Sequence, residues 1–82
     1  MADRRPERRT ALREALVAAH LDAVLLTSLP NIRYITGFSG SSALVLVTAR
    51  ETLFITDFRY ATQVRDEVGD FARVAIEPQS LW

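Results

Sequence analysis

Cysteine is absent from all 82 residues, which removes disulfides, thiolate metal sites and thiol nucleophiles together and fits a reducing compartment. Lysine is absent too. The ten basic residues are all arginine and ten acids balance them, so the formal net charge is zero and no field is available to capture nucleic acid. The one basic concentration, Arg4, Arg5, Arg8, Arg9 and Arg13, is interleaved with Asp3, Glu7 and Glu14 and reads as a solvated helix face. Histidine occurs once, at His20. No apolar run approaches the roughly 18 residues that a membrane span requires. The start, Met1-Ala2-Asp3-Arg4-Arg5, is charged and leads into an amphipathic segment, so it lacks the apolar centre of an export signal. A cytoplasmic protein with neither membrane nor nucleic-acid partner is expected.

What the chain does contain is an ordinary globular composition, 49% hydrophobic and 24% charged, in a length that makes one domain, residues 1–82. A chain of this size buries roughly 60% of its unfolded surface. At about 0.05 to 0.15 kcal/mol per residue its stability is on the order of 4 to 12 kcal/mol, thin enough for a neighbouring surface to matter.

The pattern predicts helix, strand, short helix, hairpin, helix, strand. Residues 6–20 form the first helix, with Pro6 in its first turn and an apolar stripe of Leu12, Leu16 and Ala19 beside Ala11, Ala15 and Ala18. The run 23–27 is too short for a helix and is flanked by Asp22, Ser28 and Pro30, so it reads as a buried strand. A one- to two-turn helix follows at 30–36, with Ser28 or Leu29 as its cap and Gly37 leaving it at positive φ. Residues 42–48 are apolar on both faces, as in a central strand, and Ala49-Arg50 turns the chain into the run 53–56 as an antiparallel hairpin. Asp57 caps the next helix, which places Tyr60, Ala61, Val64 and Val68 on one face and Arg59, Gln63, Asp66 and Glu67 on the solvated one, and which ends at Gly69-Asp70. Ala72, Val74 and Ile76 alternate as a last strand. The fold class is α/β, a mixed sheet flanked by helices.

Little in this pattern carries chemistry. The loop Gly37-Phe38-Ser39-Gly40-Ser41-Ser42 is rich in small residues, but it leads into a strand and no lysine accompanies it, so it reads as a chain reversal and not a phosphate cradle. His20 sits near a helix end, where an imidazole can serve terminal carbonyls, a structural role. Ser28 or Ser41 with His20 and Asp22 or Asp57 makes a triad on paper, yet no nucleophile-elbow pattern is present. One histidine with scattered carboxylates has no metal-ligand spacing, and Asp22 and Asp57 do not make a two-metal nuclease cluster. Catalytic residues and metal ligands are expected to be absent. Leu81 and Trp82 at the terminus predict self-association through exposed apolar surface.

Two signatures stand out: Asn31-Ile32-Arg33-Tyr34-Ile35-Thr36-Gly37-Phe38 and, twenty residues on, Asp57-Phe58-Arg59-Tyr60. They resemble the leading domain of the aminopeptidase P, prolidase and creatinase family of pita-bread metallopeptidases. That resemblance implies a ribonuclease H-like creatinase/prolidase N-terminal domain, or part of one, with the catalytic pita-bread domain lying outside this chain. It implies a parent hydrolase that uses two divalent metal ions (Mn, Co or Zn) to cleave X-Pro peptides, as an aminopeptidase or a dipeptidase. This chain would support dimerisation and active-site closure beside the C-terminal catalytic domain in a homodimer. Asn31, Tyr34, Gly37, Phe38, Asp57 and Tyr60 are then structural, fixing the turn and packing beneath it. Arg59 is the candidate to grip a carboxylate of the proline-containing substrate. Two alternatives stay open: a free-standing interaction domain derived from a peptidase half, and a creatinase-type amidinohydrolase parent.

Overall fold

The structure, a computed structural model, describes residues 3–78. Leu81 and Trp82, expected to mediate self-association, lie outside the described residues.

The first helix, α1 (Arg5–Ala18), opens with proline in its first turn, where a missing N–H costs nothing. Its end is set by backbone geometry: His20 N–H donates to the Val17 carbonyl at 3.1 Å and Leu21 N–H to that of Leu16 at 2.9 Å, with His20 at φ 59°. This is a Schellman closure in which histidine occupies the left-handed position that glycine usually takes. The imidazole was expected to serve the terminal carbonyls, but its side chain makes no hydrogen bond among the described residues; the backbone of His20 does the capping.

The expected apolar stripe of α1 narrows to buried Leu16 and half-buried Leu12, while Ala11, Ala15, Ala18 and Ala19 are exposed. Arginines complete the docking. Arg5, Arg9 and Arg13 recur every four residues and so share one face. Arg5 Nη1 donates to the carbonyls of Thr36 (3.1 Å), Glu67 (2.9 Å) and Val68 (3.3 Å). Arg9 Nη1 donates to the Phe71 carbonyl at 2.6 Å, and Arg13 Nε to that of Thr48 at 2.7 Å. The reading of this cluster as a solvated face is therefore corrected for these three. Charge density on a guanidinium matches carbonyls left unpaired at helix and strand ends, so the apolar stripe need not be wide.

Strands β1 (Ala23–Leu26), β2 (Ala43–Thr48), β3 (Thr52–Asp57) and β4 (Arg73–Glu77) form one sheet in the order β1-β2-β3-β4. The first two pairings are antiparallel and β3 with β4 is parallel. Helix α2 (Leu29–Thr36) links β1 to β2, and a 3-10 turn at Phe58–Tyr60 runs into α3 (Ala61–Glu67) on the crossover to β4. The β2–β3 turn lacks glycine because Thr48 organises it: Thr48 Oγ1 accepts from Arg50 N at 3.3 Å and Glu51 N at 2.9 Å. Gly69, at φ 58°, ends the third helix as expected.

Alternation sorts the sheet. Ala43, Val45 and Val47 of β2 and Phe54 of β3 are buried with Ile32, Phe38, Val64 and Val68, and Leu12 of α1 packs on the same cluster. Every helical residue in this core lies on that one face. The alternate positions of β2 and β3, Leu44, Leu46, Leu53 and Ile55, are only half-buried. β2 is thus central in strand order, as expected, but among the described residues one face alone is covered.

Candidate functional site

The first signature begins at α2. Ser28 occupies the N-cap position but its side chain makes no capping bond, and proline fills the first turn. At the other end Gly37, at φ 81°, donates its N–H to the Arg33 carbonyl at 2.8 Å. Thr36 Oγ1 donates to the Ile32 carbonyl at 2.7 Å and accepts from Phe38 N at 3.2 Å. These bonds turn the chain and drive Phe38 into the core, where it is 1% exposed.

The second signature meets the first there. Phe38 lies edge-on to Phe54, with centroids 4.9 Å apart, and edge-on to Tyr60 at 5.5 Å. Such edge-to-face pairs add about 0.5 to 1.5 kcal/mol each beyond the area they bury. The Tyr60 hydroxyl is hydrogen-bonded to Ser41 Oγ and accepts from Ser41 N at 3.4 Å. Gly40, unremarked in the sequence beyond its small size, completes the packing: a Cβ there would stand 2.3 Å from Phe38 Cζ and 3.0 Å from Tyr60 Cδ1. The signal for it was a glycine two residues past a buried aromatic.

The loop's other flank is tied to α3. The Glu67 carboxylate accepts from Ser39 N and Ser39 Oγ, each at 2.8 Å, and Gln63 Nε2 donates to both Ser39 Oγ (3.1 Å) and Glu67 Oε1 (3.0 Å). Gln63 and Glu67, expected on the solvated face, therefore hold the signature loop. The backbone N–H of Ser39 is the main reason that the Glu67 carboxyl is held below the usual glutamate range.

Asp57 is fully buried at the end of β3. It caps the turn that follows, accepting from Arg59 N at 3.1 Å, and forks the Arg59 side chain through Nε (2.9 Å) and Nη2 (2.7 Å). The Arg59 side chain is 48% exposed, its guanidinium aimed by a buried carboxylate with Nη1 outside the fork. That bond also raises the already high pKa of Arg59.

Asn31 and Tyr34 depart from expectation. Both are exposed, and neither packs into the Phe38 cluster. The Tyr34 ring instead lies beneath the Arg8 guanidinium at 4.3 Å, and Arg8 Nη1 donates to the Tyr34 carbonyl at 2.9 Å. The Asn31 side chain makes no hydrogen bond among the described residues. Tyr34, Arg8, Arg33, Ser39 and Ser41 line a cleft of about 660 Å³ beside the signature loop. It offers guanidinium and hydroxyl groups beside an aromatic wall.

Two residues of the paper triad are engaged apart from each other, Ser41 with Tyr60 and Asp57 with Arg59. No group of three His, Cys, Asp or Glu converges among the described residues, so the chain's described donors do not fit the two-ion centre that the resemblance implies.

Residues 8–81 match the Creatinase/Prolidase N-terminal domain family. The chain belongs to that family. It is 45% identical over 51 residues to the uncharacterized peptidase YqhT of Bacillus subtilis strain 168, a stretch that is 62% of this chain and 14% of that protein. Among solved structures, the N-terminal domain of the cytoplasmic peptidase PepQ from Mycobacterium tuberculosis superimposes with a TM-score of 0.83 at 42% identity, over 88% of this chain and 56% of that one. The N-terminal, creatinase/prolidase-like domain of a Corynebacterium diphtheriae protein gives 0.87 at 35% identity, over 95% and 63%. X-prolyl aminopeptidase from Caenorhabditis elegans, a cytosolic enzyme with a di-nuclear active site, gives 0.71 at 28% identity, over 93% of this chain and 16% of that one. The creatinase/prolidase-type chain thus spans a small part of the whole peptidases it resembles.

Proposed function

We propose that this chain is the non-catalytic N-terminal domain of a metal-dependent peptidase acting on X-Pro bonds, as an Xaa-Pro aminopeptidase or dipeptidase. The family match across residues 8–81 carries the reading. In the parent a C-terminal catalytic domain of pita-bread fold would hold two divalent ions (Mn, Co or Zn), whose chemistry there would be activation of water for attack on the peptide bond. This domain would contribute active-site closure and dimerisation, in the cytoplasm.

Within the domain, the Asp57-Arg59 fork supports a substrate-contacting role for Arg59. A buried carboxylate fixes the guanidinium plane without consuming Nη1, which leaves a directed donor for a second carboxylate at low reorganisation cost. The test is kinetic, on the polypeptide made from the native gene, with proline dipeptides, longer X-Pro peptides and creatine as substrates and with added Mn²⁺. X-Pro cleavage is expected, with a KM raised about tenfold or more by Arg59→Ala, the loss of one charge-assisted contact. Arg59→Lys, which leaves a cation beside Asp57, separates grip from folding. An unchanged KM in both variants would refute the role of Arg59, and hydrolysis of creatine alone would refute the peptidase reading.

A further inference from the structure

Positive charge gathers at the hairpin end of the sheet. Arg9 and Arg13 of α1, Arg50 of the β2–β3 turn and Arg73 at the start of β4 line one cleft of about 440 Å³. Its only carboxylates are Glu51 and Asp70, which leave two of the four cations without a counter-charge. Glu51 meets Arg73 at 3.8 Å, well beyond the roughly 2.7 to 2.9 Å of a charge-assisted bond. The Arg50 side chain is exposed and makes no hydrogen bond or ion pair among the described residues. Donors are also left over. Arg9 Nη1 serves Thr52 Oγ1 (3.2 Å) and the Phe71 carbonyl, which leaves Nε and Nη2; Arg13 spends Nε on the Thr48 carbonyl and Nη2 on Thr52 Oγ1 (3.3 Å), which leaves Nη1. Thr52 is 5% exposed, and its hydroxyl, accepting from both guanidinium groups, donates to no acceptor among the described residues. Burial, and then the charges of Arg13 and Arg5, push the Arg9 guanidinium below its ordinary pKa, as expected of a cation lacking an anion beside it.

We propose that this cleft binds a phosphate group, carried by a small monoester or as the free ion. Charge decides between phosphate and carboxylate. A carboxylate brings one negative charge and no more, whereas a phosphate monoester carries about 1.5 to 2 near pH 7 and presents three acceptor oxygens, which matches the two uncompensated cations and the leftover guanidinium and hydroxyl donors. A volume of about 440 Å³ is that of a small-molecule site and exceeds what a bare phosphate ion fills, so the monoester is the favoured form. The cleft is separate from Arg59: Thr52 and Asp57 are the two ends of β3, about 17 Å apart along an extended strand, so the proposal does not rest on the peptidase reading. An anion there would bridge α1, the β2–β3 turn and β4, the elements that the four arginines come from.

The test is isothermal titration of the polypeptide made from the native gene, with inorganic phosphate, glycerol 3-phosphate and acetate as probes. A chelator keeps divalent metal from binding the anion elsewhere, and sodium chloride holds the ionic strength constant, since exposed charges are screened by salt. Phosphate is expected to saturate one site per chain with a Kd of about 1 mM or below, glycerol 3-phosphate to bind more tightly, and acetate at least tenfold more weakly. Arg9 and Arg13 also hold α1 in place, so the variants are made at the exposed rim: Arg50→Gln combined with Arg73→Gln should weaken phosphate binding at least tenfold with circular dichroism unchanged. Arg33→Gln, in the cleft beside the signature loop, is the control and should leave binding as it was. Absence of saturable binding by the unmodified chain would overturn the proposal, as would binding that survives the double substitution. So would loss of binding in Arg33→Gln, which would place the anion in the other cleft, or acetate binding as tightly as phosphate, which would make this a carboxylate site. Equal affinity for the ester and the ion would uphold the site and assign it to inorganic phosphate.

Discussion

Truncating Arg5 to alanine tests whether the arginine ladder of α1 holds the fold together. Its Nη1 has two protons for three carbonyls, those of Thr36, Glu67 and Val68, so two good bonds are the most to count. A hydrogen bond from a charged group contributes about 1.5 to 3 kcal/mol when its partner is buried. The side chain is 25% exposed, so water reaches the orphaned carbonyls in the variant and the sum is discounted. The fork on Asp3 is exposed and adds nothing measurable, while the cation–π contact with Phe71, at 4.9 Å, adds a little. The expected loss is about 2 kcal/mol, roughly thirtyfold in the folding equilibrium. In a domain of this size that lowers Tm by about 8 to 16 °C. Arg5→Lys, with a compact ammonium that reaches fewer carbonyls, should lose about half as much. The control is the adjacent residue: among the described residues the Arg4 side chain forms an exposed pair with Glu7 at 3.3 Å, so Arg4→Ala should cost under about 0.5 kcal/mol. Urea denaturation followed by circular dichroism gives all three values. If Arg5→Ala falls within 0.5 kcal/mol of the parent sequence, or matches Arg4→Ala, then the ladder is incidental and α1 docks through Leu12 and Leu16 alone.

Gly40→Ala forces a methyl into Phe38 and Tyr60; a destabilisation of about 1 to 3 kcal/mol with near-ultraviolet dichroism changed is expected, and unaltered stability would mean that the rings move freely. His20→Gly relieves a left-handed histidine and should stabilise by about 0.5 to 1 kcal/mol in thermal melts, whereas a loss would show that the imidazole contributes. Glu67 has its pKa lowered in the folded chain, chiefly by the Ser39 N–H, so the stability it contributes is present above the unfolded glutamate value and is lost as pH falls through the lower folded one. Protection of the Ser39 amide against hydrogen exchange should therefore drop below about pH 4, and Glu67→Gln should flatten that dependence; flat protection down to pH 3 in the unmodified chain would contradict the linkage.

The order of elements was legible because it rests on local signals. Pro6, the isolated apolar run at 23–27, Gly37, the alternation in β2 and β3 and the Gly69 stop each report a backbone state that tertiary contacts then ratify. Boundaries moved by one or two residues, as at Leu29 and Arg73, since end turns fray between assignments. The site was half legible. Phe38, Tyr60, Asp57 and Arg59 carry types and spacings that speak of burial or pairing, and the structure brings them together. Asn31 and Tyr34 have the same kind of signature yet face outwards, because a signature records which residues are specified and not which way they point.

What stayed hidden was the destination of polar side chains with distant partners. Arg5 meets Glu67 across 62 positions and Arg9 meets Phe71 across the same separation, and no window of sequence contains both ends. A question about the backbone recovers much of this. Each helix end leaves carbonyls that need donors, and at the C-terminal ends of α2 and α3 the Gly37 and Val68 N–H groups reach back to Arg33 and Val64, while Arg5 serves the Thr36 and Glu67 carbonyls. A chain with ten arginines and an α1 too poor in apolar residues to dock by burial alone has its answer in the periodicity of Arg5, Arg9 and Arg13. Arginine at every fourth position of this weakly amphipathic helix is therefore better read as a row of donors for carbonyls at neighbouring helix and strand ends than as surface charge. In this chain Arg5, Arg9 and Arg13 donate to carbonyls at helix, 3-10-turn and strand ends and Arg8 to that of Tyr34, whereas Arg4, among the described residues, pairs with Glu7 in solvent.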